Sequence, residues 1–175
     1  MFEHPLPLTI KPVKLARQEG KLTGFMPLKQ LVNLAADCVS DEGRVEADLE
    51  LRMERSRPEL HGSANAAVKL VCQRCLEPVD VKVEVNIALG FVQTETQMAE
   101  LPESLEPFVL EEEEIPLAEL LEQELILALP IVAYHDACEP YPYEGKEEAE
   151  AAVADEKPNP FAVLEQLKGN LKKPD

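Results

Sequence analysis

Between Arg44 and Glu54 apolar and charged residues alternate without a break. Val45, Ala47, Leu49, Leu51 and Met53 share one side; Arg44, Glu46, Asp48, Glu50, Arg52 and Glu54 share the other. A period of two sends successive side chains to opposite faces of a strand, so this segment buries one face and wets the other. SRPEL (56–60) breaks the run, and Ala64, Ala66, Val68, Leu70 and Cys72 then mark a second strand. Val81, Val83, Val85, Ile87 and Leu89 mark a third, dominated by β-branched residues. CQRCLEP lies between the second and third strands and is short enough to be a hairpin connection. Cys72 and Cys75 therefore fall at a hairpin tip.

A one-sided sheet needs an apolar layer over it, and two segments supply one. LKQLVNLAAD (28–37) places Leu28, Leu31, Val32, Leu34 and Ala35 at helical spacing. Pro116 opens a second helix, LAELLEQELILAL, with Glu119, Glu122 and Glu124 in its first half and Pro130 closing it. Residues 5–13 read as extended, 93–107 as a polar loop, and FVLEEEEI (108–115) as a candidate further strand. The expected fold is an α+β domain over 1–138, an antiparallel sheet of hairpins packed with two helices. Residues 139–158 are acidic and punctuated by proline, which predicts a mobile linker. Over 159–175, Phe161, Leu164, Leu167 and Leu171 restore a helical stripe, which predicts a short docking helix.

Charge is divided along the chain. Residues 1–82 carry 12 Lys+Arg and 12 Asp+Glu, whereas 83–175 carry 5 and 22, so the whole net charge of −17 lies in the second half. Such a field repels phosphate and attracts basic partners. The basic side chains that could meet an RNA lie in the neutral half: Arg52, Arg55 and Arg57, with Arg74 at the hairpin tip. The competing account is that they neutralise adjacent carboxylates. The run Glu111–Glu114 reads as a solvated edge that discourages sheet aggregation.

Most catalytic classes find no support. The four serines lie outside any Gly-x-Ser-x-Gly elbow, and the seven glycines form neither G-x-x-x-x-G-K nor G-x-G-x-x-G. His4, His61 and His135 are too dispersed to suggest a triad. Thioredoxin-like chemistry needs its cysteine pair at a helix N-terminus, whereas this pair lies between strands. What remains is metal. Cys72 and Cys75 are half of a tetrahedral zinc site, and HDAC contributes His135 and Cys138 just after the long helix. The reading that the local pattern favours needs no cofactor: Cys72 packs in phase with Val68 and Leu70 while Cys75 shapes the turn, and zinc on the four residues is the alternative.

The uneven cysteines do not read as a secreted disulfide framework. MFEHPLPLTIKPVK shows no signal peptide, and LILALPIVAY (125–134) is too short to span a bilayer. A cytoplasmic protein without membrane partners is expected.

PLTIKPVKLA, LVCQRCLEPV, AELPESLEPFVLEEEEIPLAELLEQELILALPIVAYHD and KPNPFAVLEQLK follow one another across nearly the whole chain. In these segments and their order the sequence resembles the bacterial YceD family, the large ribosomal RNA subunit accumulation proteins. The resemblance implies a cytosolic, non-enzymatic factor needed for synthesis, processing or stability of 23S ribosomal RNA and for large-subunit assembly. The partner would be ribosomal RNA or large-subunit precursor particles, or alternatively a basic ribosomal protein gripped without RNA contact. The resemblance brings no catalytic residues with it.

Overall fold

The computed structural model describes residues 2–142. In chain order its elements are β1 (Thr9–Ile10), α1 (Pro12–Arg17), β2 (Lys21–Pro27), α2 (Val32–Asp37), β3 (Arg44–Glu54), β4 (Arg57–Val71), β5 (Pro78–Val92), α3 (Glu95–Met98), β6 (Glu106–Val109), β7 (Ile115–Pro116) and α4 (Leu117–Leu127). The five-stranded sheet has the order β2-β3-β4-β5-β6, and β1 pairs with β7 in a separate two-stranded ribbon.

The three predicted strands are present with the predicted faces. Val45, Ala47, Leu49 and Leu51 of β3 are buried, as are Leu60, Ala64, Ala66, Val68 and Leu70 of β4 and Val83, Ile87 and Leu89 of β5. Register follows from this parity: Ala47 faces Ala64, which faces Val85, and a slip of one residue would turn every apolar side chain to solvent. β3 and β4 approach so closely at Gly62 that a Cβ there would lie 2.1 Å from the Asp48 carbonyl oxygen. Only glycine fits at that point.

Over the apolar face, α1 packs on β3 and β4, and α4 packs on β4, β5 and α2. Leu117, Leu120, Leu121 and Leu125 of α4 are buried, spaced along one stripe of the helix. Each such leucine contributes about 1.5–3 kcal/mol relative to an exposed one.

Several local differences separate structure from expectation. The 28–37 helix is two pieces, a single 3-10 turn over Leu28–Gln30 and then α2. The segment read as extended turns into α1 at Pro12, which suits a first helical position. The polar loop holds the short α3, and the strand expected over 108–115 is β6, ending at Val109. β6 runs parallel to β5, so the sheet is mixed, and Phe108 meets Phe91 edge-on with ring centres 5.6 Å apart. The linker and docking helix expected over 139–158 and 159–175, with Phe161, Leu164 and Leu167, lie from residue 143 onward outside the described residues.

Candidate metal centre

β4 and β5 are joined by residues 72–77. The Cys72 N–H donates to the Glu77 carbonyl at 2.9 Å, and the Leu76 N–H donates back to the Cys72 carbonyl at 2.9 Å. Leu76, immediately after the second cysteine, takes φ +64, so the chain turns back sharply there. Both thiols thereby face one side of the tip. The segment after α4 passes beneath them, held by Gln73 N–H donating to the Ala133 carbonyl at 2.9 Å and Tyr141 N–H donating to the Arg74 carbonyl at 2.7 Å. It delivers His135 and Cys138.

One ligand atom from each of Cys72, Cys75, His135 and Cys138 lies within 4.8 Å of all the others. The Cys72 and Cys138 sulfurs are 3.8 Å apart, and Cys75 Sγ is 3.4 Å from His135 Nδ1. Tetrahedral bonds of about 2.3 Å to sulfur and about 2.05 Å to nitrogen place two sulfurs about 3.8 Å apart and a sulfur and nitrogen about 3.6 Å apart. Those edges fit the dimensions of a Cys3His zinc site. All four cysteines are free, and 3.8 Å is far beyond a disulfide bond.

The protonation pattern suits a cation. His135 Nε2 lies 3.1 Å from the Pro78 carbonyl oxygen. A carbonyl only accepts, so Nε2 is the donor there, and Nδ1 is the ring nitrogen turned toward the sulfurs. Cys72 is fully buried, which pushes its thiol pKa up, but backbone N–H groups of Cys75, Arg74 and His135 outweigh that and bring it down to about 5. A thiolate is the form that binds metal. Arg74 spans the outside of the cluster, its Nε–H donating to Cys138 Sγ at 2.9 Å and its second guanidinium nitrogen to the His135 carbonyl at 2.8 Å.

The structure thus unites the four cysteine and histidine candidates and separates the arginines. Arg55 forms the β3–β4 turn, with Arg52 and Arg57 beside it in the flanking strands. Arg74 sits at the other end of β4, about 45 Å away along a strand rising about 3.3 Å per residue. Arg52 and Arg57 share the buried carboxylate of Glu59, at 3.8 and 3.9 Å, whereas Arg55 and Arg74 make no ion pair among the described residues.

Comparison with known proteins gives the family. The profile of the family described as "Large ribosomal RNA subunit accumulation protein YceD" matches residues 60–168, a span that includes all four cluster residues. A protein of Haemophilus influenzae bearing the same description is 35% identical over 170 residues, covering 93% of this chain and 96% of the relative. The chain belongs to the YceD family. No solved structure matches it. Among the described residues no helix is long and apolar enough to cross a membrane.

Two roles in the YceD-family chain were not visible in the sequence. Arg74 reads there as a free cation at a tip, and only the fold shows it turned onto Cys138. Glu122 reads as one of several helix acids, yet it is buried and serves α2.

Proposed function

We propose that this YceD-family chain supports accumulation of the large ribosomal RNA subunit as a binding scaffold, without catalysing a reaction. It would act on 23S ribosomal RNA or its precursor particles in the cytoplasm, with zinc held by Cys72, Cys75, His135 and Cys138. The role is carried over from the description of the family and of the Haemophilus influenzae relative. The observation that supports scaffolding over catalysis is the completeness of the ligand set. Four protein ligands close a tetrahedron, as structural zinc sites do, whereas catalytic sites keep one position for water or substrate. Three thiolates and a neutral imidazole around Zn²⁺ leave one negative charge, and the Arg74 guanidinium offsets it. The ion would pin the β4–β5 tip to the segment beyond α4, far apart in sequence.

The test is ribosomal sedimentation and large-subunit RNA level in cells lacking the protein, with and without the chain restored. Restoration by the wild-type chain supports the reading; unchanged RNA and profiles on its removal would overturn it. Capture from cell extract with RNase digestion then locates the contact. A complex that survives digestion would move it to a basic ribosomal protein met by the acidic second half.

A further inference from the structure

At the end of the sheet opposite the cysteines, α1, the β3–β4 turn and the chain leaving β5 enclose a cavity of about 370 Å³. That is within the ordinary size range of small-molecule sites, roughly 300–1,000 Å³. Its apolar wall is formed by Val13, Met53, Phe91 and Leu110, and Arg17, Arg55 and Arg57 line it beside them, Arg57 with its Nε buried. From this geometry we infer that the cavity takes one unstacked nucleotide of single-stranded RNA, the base against the apolar wall and the phosphates on the guanidinium groups. The inference rests on the reading that the chain acts through ribosomal RNA, and it gives that contact an address.

Three observations carry it. First, two of the three guanidinium groups are unspent. Arg17 and Arg55 make no ion pair among the described residues. Arg57 Nε is 3.9 Å from Glu59, too far for a hydrogen bond, and is a buried donor without a partner. Against three guanidiniums the lining has one acid, Glu100. In a chain of net charge −17, such an opening focuses a polyanion to one place.

Second, the turn is built expensively. Glu54 pairs with Arg57, leaving a two-residue loop in which Arg55 has φ +49 and Ser56 φ +68. Two left-handed residues make a type I′ turn, for which Asn-Gly is the low-cost sequence. Arg-Ser accepts strain there and holds a guanidinium over the cavity.

Third, the combination matches one ligand class. An apolar wall beside guanidinium groups suits a base with its phosphate, and a cavity of this size admits a splayed-out base, not a stacked duplex. The carboxamides of Gln93 and Gln97 line the same space, and Gln97 Oε1 is taken by the Gln93 N–H at 2.8 Å. The Gln97 amide nitrogen is thereby left as a donor for a base edge.

The experiment is fluorescence anisotropy on the full chain with a labelled ten-nucleotide oligo(A), a duplex of the same length, and adenosine monophosphate and an oligo-glutamate peptide as competitors. Arg17→Gln and Arg55→Gln lie on exposed positions, and melting curves verify that they fold. Each should weaken single-strand binding about 3–10-fold and reduce the log–log salt slope by about 0.7. Lys29→Gln, away from the cavity, should change neither. Competition by the monophosphate supports a nucleotide-sized pocket. Arginine variants that bind like wild type, equal binding of the duplex, or displacement by the peptide at lower concentration than by the monophosphate would each overturn it. If the wild-type chain restores large-subunit RNA in cells while the titration fails, the cavity assignment alone falls. If the chain restores nothing, the functional reading falls, and the titration still decides the cavity.

Discussion

Glu122, in the middle of α4, caps a different helix: its carboxylate accepts the backbone N–H of Asn33 at 2.7 Å and of Leu34 at 3.2 Å. The Asn33 side-chain amide also donates to it. α2 begins without a side-chain cap of its own, so its first-turn N–H groups would otherwise be orphaned. Replacing Glu122 with alanine leaves those donors unmet. The expected loss is about 2–3 kcal/mol, or roughly 5–10 °C in melting temperature for a chain of this size. Glu122→Gln, which keeps an acceptor oxygen, should lose less. Thermal unfolding by circular dichroism measures both, and equal melting of Glu122→Ala and wild type would remove the cap from the account.

Arg74 holds Cys138 and the His135 carbonyl without being a ligand. Arg74→Ala should retain the fold and weaken zinc about 10–100-fold, as loss of groups that orient ligands does. Competition with a chromogenic chelator measures the change. Arg74→Lys should recover only part of it, because an ammonium cannot reach two acceptors with a planar fork.

The Arg55-Ser56 turn predicts opposite effects on stability and binding. The double change Arg55→Asn with Ser56→Gly relieves two left-handed non-glycine residues. It should raise stability by about 1–2 kcal/mol, or roughly 2–8 °C in melting temperature. The same change removes a guanidinium from the cavity and should weaken single-stranded RNA. Melting and anisotropy on one sample read both.

Acidity should loosen the metal-free tip. The Cys72 thiol is brought down from 9.0 to about 5: burial raises it, and the surrounding N–H groups more than reverse this. A depressed pKa contributes stability in full above the unfolded value and loses it as pH falls through the folded one. Stability of the metal-stripped chain should therefore fall from pH 8.5 to 5.5, and Cys72→Ser should flatten that slope. Cys75 shifts the other way: the Glu77 N–H lowers it, but burial and the neighbouring Cys72 and Cys138 sulfurs prevail. Its contribution is lost only above the ordinary thiol value, outside this window. Denaturant midpoints across the range, under reducing conditions, provide the check.

Strands with one wet face were legible because burial imposes a period of two, and the Arg44–Glu54 alternation has the faces expected of it. The helix over Leu117–Leu127 was legible for the matching reason, with Pro116 before it and Pro130 after it. β2 was not, because KLTGFMP contains both glycine and proline and lies at a sheet edge, where neither is excluded. The parallel direction of β6 was hidden because a short apolar run carries no sign of its partner's orientation. The metal ligands were recognisable by residue type, but local pattern favoured packing for Cys72. Cys72 is in fact both buried and converged with Cys138, and that second property comes from the course of the chain after α4. The destination of the Arg74 and Glu122 side chains depends on segments more than 60 residues away, which no local window contains.

The claim on which the scaffold reading depends is a closed four-ligand zinc site. X-ray absorption at the zinc edge, on the full chain purified without added metal or chelator, tests it most directly. The account predicts one zinc per chain with three sulfurs at about 2.3 Å and one nitrogen at about 2.0–2.1 Å. A chain without stoichiometric zinc, or zinc carrying a water oxygen in place of one of these ligands, would contradict it.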